Sequence, residues 1–596
     1  MLFAVICLII VVSLVSSEET LQPNIVFIVA DDLGWDDVSF HGSDDILTPN
    51  IDVLAYEGVI LNQYYTDTEG TASRSAFFTG KYAMRLGTQG ISISAAEDRG
   101  IPITELLLPS YLQKLGYSTH LVGKWNVGES REHYLPTYRG FDSFYGFVGR
   151  SVDYLTYNLI ENCNGADYYG LDLFENREPV FDQTGHLTEI LTDQAIRIIR
   201  DHNTSVPLYL HISHAAPHAG GGFVNLQPPL DSIEANGYIA HSARRLYAGL
   251  VTSLDKSIGH ILSMLAEREI LDNTIIVFVS DNGAAPIGPS QNFGSNLPLR
   301  GVKGSPWEGA ARGVAFLWHS SISSKIHDGL FHVTDWLPTL VNVAGGNIPE
   351  NIDGVNQWDT INSDERPKRL DVLITIDDLN GWAAFREGDF KIIIGNVNRN
   401  FSGYYSKELK VLRNTIPSYE NMLLECDANR IIRETLDLVL DVDLAFAKRK
   451  ELSMTYINEN EINTEPCVPT QAKGCLYNIT ADPTESNDLW NNLPDLVRHL
   501  TLRLRTLWAD MVPRRQPQLD PKANPSFHNY IWYPWVENDE VVLEPPKIPA
   551  FPLQVSVDEL EYLVDINMNT FRDNLNLYIK DMSKSFIRSV SALFSL

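Results

Sequence analysis

The sequence predicts an α/β sandwich with a large, mostly parallel sheet, followed by a smaller α+β domain. Three observations lead there. Short β-branched runs recur without polar interruption, as strands buried on both faces require. Segments of helical period separate them. Polar, chemistry-bearing residues cluster just after the runs, where open α/β sheets bind ligands. At 596 residues the chain is also too long for one hydrophobic core, so two or more domains are expected.

Residues 2–15 (LFAVICLIIVVSLV) carry no charge and are followed by Ser16 and Ser17. The run is short for a membrane span, so 1–17 read as a secretory signal peptide. Strands are expected at Asn24–Ala30, Ser118–Val122, Pro207–Ile212, Asn273–Ser280 and Gly313–Trp318. Between them, Leu187–His202 places Ile190, Leu191, Ile198 and Ile199 on one helical stripe. Arg244–Glu269 does the same with Leu250, Leu254, Ile258, Ile261, Leu262 and Leu265. Residues 18–375 form the principal domain on this reading. Beyond it the strands shorten (Trp382–Phe385, Phe390–Ile394) and a helix is expected near Asp495–Trp508, giving a smaller domain over 376–540. Pro545, Pro546, Pro549 and Pro552 mark a stiff linker, 541–553. In the extension 554–596, Phe571, Leu575, Tyr578, Met582, Phe586, Val590 and Leu593 recur at three- and four-residue steps. That spacing predicts an amphipathic helix, packed on its own domain or touching a partner through 571–593.

Acidic residues outnumber basic ones 76 to 46, a net charge of −30, which argues against nucleic acid or anionic lipid as a partner. No later stretch reaches membrane-spanning length without charge, so no transmembrane segment is expected. After signal removal Cys163, Cys426, Cys467 and Cys475 remain. In an oxidising compartment they allow up to two disulfides in three pairings, and Cys467–Cys475 is the easiest loop to close. Sequons at Asn203, Asn400 and Asn478 fit export to the extracellular space or the lysosome.

Each predicted strand ends in reactive residues. The first runs into Asp31-Asp32, and the strand at 273–280 into Asp281-Asn282. The strand at 118–122 leads to Lys124 and Asn126, and that at 207–212 to Ser213-His214, with His218 four residues on. A single Asp at a strand end is usually a turn or cap residue. Three carboxylates in one crevice, however, cannot all stay ionised without a counter-charge. The oxygen set Asp31, Asp32, Asp281 and Asn282 suits a hard divalent cation, Ca²⁺ in preference to Mg²⁺. Arg74, Lys124, Lys303 and His218 complete an electrostatic clamp for a tetrahedral oxyanion such as a sulfate or phosphate ester. Arg300 and Arg312 are expected on a solvated face.

These segments resemble the sulfatase family, in its arylsulfatase B-like branch. The matching stretches are PNIVFIVADDLGWDDVSFHGS (23–43), TPNIDVLAYEGVILNQYYT (48–66), GKYAMRLGTQ (80–89), VSDNG (279–283), LPLRGVKGSPWEGAARG (297–313), HVTDWLPTL (332–340) and LYNITADPTESNDL (476–489). The resemblance covers roughly residues 22–540. It implies an alkaline-phosphatase-like fold, one Ca²⁺ and hydrolysis of sulfate esters on glycans or aryl groups. In that family a cysteine in C-x-P-S-R becomes formylglycine, whose hydrate attacks sulfur. The resemblance assigns Asp31, Asp32, Asp281 and Asn282 to the metal, and Arg74, Lys124, His218 and Lys303 to the nucleophile and sulfate.

Two positions depart from the pattern. Gly70, in Glu69-Gly70-Thr71-Ala72-Ser73-Arg74, stands at the cysteine position and has no side-chain carbon to oxidise, so no formylglycine is expected. Ala72 replaces the usual proline. Asn126 stands where the family's G-K-W-H motif has histidine, and an amide cannot act as a general base. Loss of a covalent nucleophile costs on the order of 10⁶ in rate in a measured triad. The expectation is a pseudo-sulfatase that keeps the metal and clamp residues but turns over little or nothing. The alternative is an ester hydrolase using Thr71 or a metal-bound water. Thr71 is a poor substitute because adjacent side chains point in different directions.

Overall fold

The structure, a computed structural model, describes residues 22–363, 365–454, 466–514, 518–537 and 546–553. The signal segment 1–17, residues 541–545 of the linker and the 554–596 extension with its 571–593 stripe lie outside the described residues. Ten strands form the large sheet: β1 (Asn24–Ala30), β2 (Val59–Leu61), β3 (Ser118–Lys124), β4 (Ser143–Phe147), β5 (Phe174–Glu175), β6 (Glu178–Pro179), β7 (Leu208–Ser213), β8 (Thr274–Ser280), β9 (Ala315–Trp318) and β10 (Lys325–His327). Their order is β10-β2-β9-β8-β1-β7-β3-β4-β5-β6. The five central strands, β8, β1, β7, β3 and β4, are mutually parallel. The reversals come at β9 and at the β5–β6 edge.

Every residue of β1 is buried, because both faces of the sheet are covered. Val26, Ile28 and Ala30 face a layer containing α1 (Pro49–Glu57), and Ile25, Phe27 and Val29 face one containing α2 (Gly70–Thr79) and α3 (Leu108–Lys114). Along the chain, α4 (Leu187–Asp201) and α5 (Ser242–Glu267) join the first layer, α6 (Trp336–Val343) the second and α7 (Asp427–Leu436) the first. Each fully buried aliphatic side chain contributes about 1.5–3 kcal/mol. The predicted stripe of α5 is wholly buried, and that of α4 is buried except for Ile198, which is half-buried against the same core.

A second sheet, β11 (Asp371–Asp377), β12 (Trp382–Glu387), β13 (Phe390–Gly395) and β14 (Cys475–Asn478), is antiparallel. One face (Ile376, Phe385, Ile392, Ile394, Leu476) packs on Leu500, Leu504 and Trp508 of α8 (Pro494–Ala509). The other (Ile374, Ala384, Ile393, Tyr477) packs on Trp307 and Tyr65 of the large domain. Residues 376–540 are shared between the two cores and do not form the smaller one alone, because Leu423, Ala428, Ile431, Ile432, Ala445 and Leu452 enter the large core. An amphipathic stripe records which face is apolar and not which layer covers it.

The disulfide expectation is met by one bridge, and the expectation for two arginines is corrected. Cys467 and Cys475 form a disulfide, but Cys163 and Cys426 are buried free thiols, so there is one bridge among the described residues. Arg300 and Arg312 are not solvated. Arg300 is fully buried, stacked 3.6 Å above the Trp307 ring and donating to the carbonyls of Ser402, Glu485 and Cys467. It pins the second sheet to the first. Arg312 lies over Trp35 and donates to the backbone and side-chain oxygens of Asn62. Guanidinium groups tolerate burial where planar stacking and several acceptors coincide, which local sequence does not reveal.

Beyond the end of β3, Glu129 is enclosed with neither carboxylate oxygen hydrogen-bonded. It faces Asp172, Glu161 and Arg150. Asp172 accepts from the Val148 and Gly149 amides, Glu161 from the Ser94 hydroxyl, and Arg150 Nε lies 2.8 Å from Glu161 Oε1. Burial, reinforced by Asp172 and Glu161, pushes Glu129 well above the usual carboxylate range, and burial pushes Asp172 up to about 7. A carboxyl raised on folding contributes its stability below its unfolded pKa and loses it as pH rises towards the folded value. Thermal unfolding should therefore show Glu129→Gln more stable than wild type by about 1–3 kcal/mol at pH 8 and nearly equal to it at pH 5. Equal differences at both pH values would contradict the raised carboxyl.

Candidate metal and oxyanion site

Strand register brings the predicted residues together. Ala30 of β1 pairs with Ser280 of β8, so Asp31-Asp32 and Asp281-Asn282 emerge side by side. Lys124 closes β3 two strands away, and His218 follows β7 between them. Asp32 takes a left-handed backbone with φ 60°, which a short polar side chain tolerates better than most. Its amide donates to Asp281 Oδ1 at 3.2 Å, and its Oδ1 accepts from Asn282 Nδ2 at 2.6 Å.

Each of the three carboxylates has its own cation. Lys124 Nζ lies 2.6 Å from Asp31 Oδ2, and Lys303 Nζ 2.6 Å from Asp32 Oδ1. Arg74 grips Asp281 Oδ2 through Nε (3.1 Å) and Nη2 (2.8 Å), while its Nη1 reaches Ser213 Oγ. Burial alone would push Asp31 up, but Lys124, His218 and Arg74 together hold it below the usual range. For Lys303 burial is outweighed by Asp32, Glu69, Asp31 and Asp281, which raise it. Lys124 is lowered, burial being only partly offset by Asp31. All three carboxylates are at most 2% exposed, and such charges in a dry interior are tolerated only when paired.

The donor set fits a hard cation. Asp31 Oδ1, Asp32 Oδ2 and Asn282 Oδ1 are buried without a hydrogen-bond partner. One oxygen each of Asp31 and Asp32 and one imidazole nitrogen of His218 lie within 4.8 Å of one another. His218 Nδ1 sits 2.5 Å from the Ala219 carbonyl, so it carries the proton. Nε2 then faces Asp32 Oδ2 at 3.5 Å, an acceptor opposite a carboxylate that a cation or proton would reconcile. Burial lowers the His218 pKa, against the pull of Asp32 and Asp31. Asp281 differs from the other three in that both its oxygens are engaged, by the Asp32 amide and by Arg74.

Gly70, the first residue of α2, points into this cluster. A Cβ there would lie 2.8 Å from Asp281 Oδ2, 3.6 Å from Asn282 Oδ1 and 3.7 Å from Arg74 Nε. Thr71 is turned elsewhere. Its hydroxyl donates to Asn126 (2.8 Å to Oδ1, 3.0 Å to O) and accepts from the Ile93 amide. Asn126 has φ 48° and also donates from Nδ2 to the Ile93 carbonyl. The two residues satisfy each other.

A cavity of about 730 Å³ opens over Lys124, His218 and Lys303. It is also lined by residues that sequence reasoning missed, Glu69, Phe223, Asp377, Trp382 and Phe401. Glu69 accepts from Ser92 Oγ, and its carboxyl is raised by burial despite Lys303. Its place beside position 70 was a usable signal, whereas Trp382 lies more than 250 residues from the strand-end motifs of β1 and β3 and left none. Of the sequon residues, Asn203 and Asn400 are exposed and Asn478 is half-buried. Among the described residues no helix is long and apolar enough to cross a membrane.

Comparison with known proteins agrees with this fold. The family model described as Sulfatase matches residues 23–346. The chain is similar to mouse arylsulfatase J, 34% identical over 527 residues, 87% of this chain and 81% of that one. It is also similar to human N-acetylgalactosamine-6-sulfatase, 31% identical over 357 residues, 57% of this chain and 66% of that one. Among solved structures, that of Ps i-CgsB superposes with a TM-score of 0.64 at 24% identity, covering 85% of this chain and 98% of the other. With its alkaline-phosphatase-like architecture and these matches, the chain belongs to the sulfatase family.

Proposed function

We propose that this protein is a pseudo-sulfatase of the secretory pathway, extracellular or lysosomal, that binds Ca²⁺ and the sulfate group of a sulfated glycan with little or no hydrolysis. The observation that supports this most is the direction of Gly70, whose absent side chain would project among Asp281, Asn282 and Arg74. A nucleophile is missing at the position that faces the oxygen cluster. Thr71 and Asn126 are engaged with each other and supply neither nucleophile nor base. The similarity to a sugar sulfatase and an arylsulfatase supports a sulfate ester as the ligand.

In this reading Asp31, Asp32, Asp281 and Asn282 hold the cation, which when bound supplies positive charge against the three carboxylates and an anchor for an oxyanion. Lys124 and Lys303, paired with Asp31 and Asp32, direct ammonium groups at the sulfate oxygens. His218 presents Nε2 to the same oxygen cluster, and Arg74 keeps Asp281 oriented. The donors are fixed by burial before any ligand arrives. Asn203, Asn400 and Asn478 are the proposed glycosylation sites.

Two outcomes are expected. First, Ca²⁺ at about a hundred times its Kd should stabilise the fold by about 2.7 kcal/mol. EDTA or Asp32→Asn should remove that gain in differential scanning fluorimetry, and a wild-type unfolding temperature indifferent to Ca²⁺ and EDTA would refute the metal assignment.

Second, wild type coexpressed with a formylglycine-generating enzyme should release no sulfate from an aryl sulfate, whereas Gly70→Cys/Ala72→Pro/Asn126→His should gain several powers of ten in rate. Ala72 lies in the first turn of α2, where proline is tolerated. The Cβ introduced at position 70 requires the Asp281 carboxylate to move slightly from its 2.8 Å approach. Brisk wild-type turnover that Asp281→Ala abolishes would overturn the pseudoenzyme reading. Sensitivity of that turnover to Thr71→Ala or EDTA would favour the alternative hydrolase.

A further inference from the structure

The loop after β7 runs from His218 at the clamp to Phe223 at the mouth of the cavity through Gly220-Gly221-Gly222. Phe223 follows His218 by five positions, so the two are at most about 18 Å apart. Phe223 is 89% exposed, yet the loop carrying it is anchored. The Gly221 carbonyl accepts from the Ile160 amide at 2.9 Å, and the Gly220 amide donates to the Asn225 carbonyl at 2.7 Å. A Cβ on Gly221 would lie 2.8 Å from the Ser151 carbonyl oxygen, and one on Gly222 2.2 Å from Asp153 Oδ2. Asp153 cannot easily yield, since its carboxylate accepts from the amides of Leu155 and Thr156 and from Gln227 Nε2. The glycines let the backbone lie against 151–153, and that packing holds an aromatic ring in water.

A singly exposed apolar side chain is ordinary; Phe223 stands out because it lines the cavity that opens over the clamp, on an anchored loop, and aromatic rings bring much contact area at little entropic cost. The cavity is also lined by Trp382, Phe401 and Asn380. Aromatic faces with a few amides are the lining that a sugar ring, apolar on its C–H faces and polar at its edge, would match. At about 730 Å³ the cavity offers more room than one sulfated sugar fills. Resting on the proposed sulfate-binding function, we infer that Phe223 is the stacking platform for the second sugar of a sulfated oligosaccharide whose terminal sulfated unit lies on Lys124, His218 and Lys303. The ligand class is therefore an oligosaccharide chain, not a free sulfated monosaccharide or a small aryl sulfate.

Isothermal titration of the full chain in Ca²⁺ buffer tests this with two probes, N-acetylgalactosamine 6-sulfate and a chondroitin-type tetrasaccharide ending in that sugar. Wild type should bind the tetrasaccharide about tenfold more tightly. Phe223→Ala should erase that difference and leave monosaccharide affinity within about twofold. Gly222→Ala, which keeps the ring but displaces the loop, should do the same. If the tetrasaccharide gains nothing in wild type, or Phe223→Ala preserves its advantage, the platform is refuted while sulfate binding stands. If neither probe binds wild type, the sulfate-binding reading falls and the platform with it.

Discussion

The site depends on three carboxylates, Asp31, Asp32 and Asp281, buried close together at the ends of two adjacent parallel strands. Close, dry like charges oppose each other's ionisation, so the surrounding architecture has to bring cations to them. Lys124 arrives from β3, Arg74 from α2 and Lys303 from the segment after β8, each at salt-bridge distance from a different carboxylate. Register in the parallel sheet is what lets residues from positions 31 to 303 meet.

That arrangement also separates recognition from chemistry. Charge, shape and oxygen donors belong to groups present in this chain, while the covalent attack implied by the family resemblance would belong to a side chain at position 70. Gly70 opens α2, and a Cβ there would meet the Asp281 carboxylate at 2.8 Å. The pairing of Thr71 with Asn126 shows the neighbouring polar groups satisfied locally, so the altered positions leave no buried polar atom of their own unpartnered. The orphaned oxygens are instead Asp31 Oδ1, Asp32 Oδ2 and Asn282 Oδ1, on the side where a cation would sit.

The second sheet also borders the cavity. Arg300, stacked on Trp307 and bonded to three carbonyls, fastens it beside the large sheet. That placement sets Asp377, Trp382 and Phe401 on the cavity wall. The large domain thus carries the charged residues Lys124, His218 and Lys303 of the cavity, and the second sheet part of its wall.

Read alone, the sequence determined the sandwich, because uninterrupted apolar strands and helical stripes follow from covering a sheet on both faces. It also picked out the strand-end residues that meet in the structure, because parallel strands present their carboxyl ends on one edge, and the glycine at position 70. Only tertiary structure decided which layer buries the 419–452 segment, that Arg300 and Arg312 turn inward, that Cys163 and Cys426 stay apart, and that Glu69 and Trp382 border the cavity. Those outcomes depend on contacts between residues far apart in the chain, and local periodicity holds no record of the surface against which a side chain will finally pack.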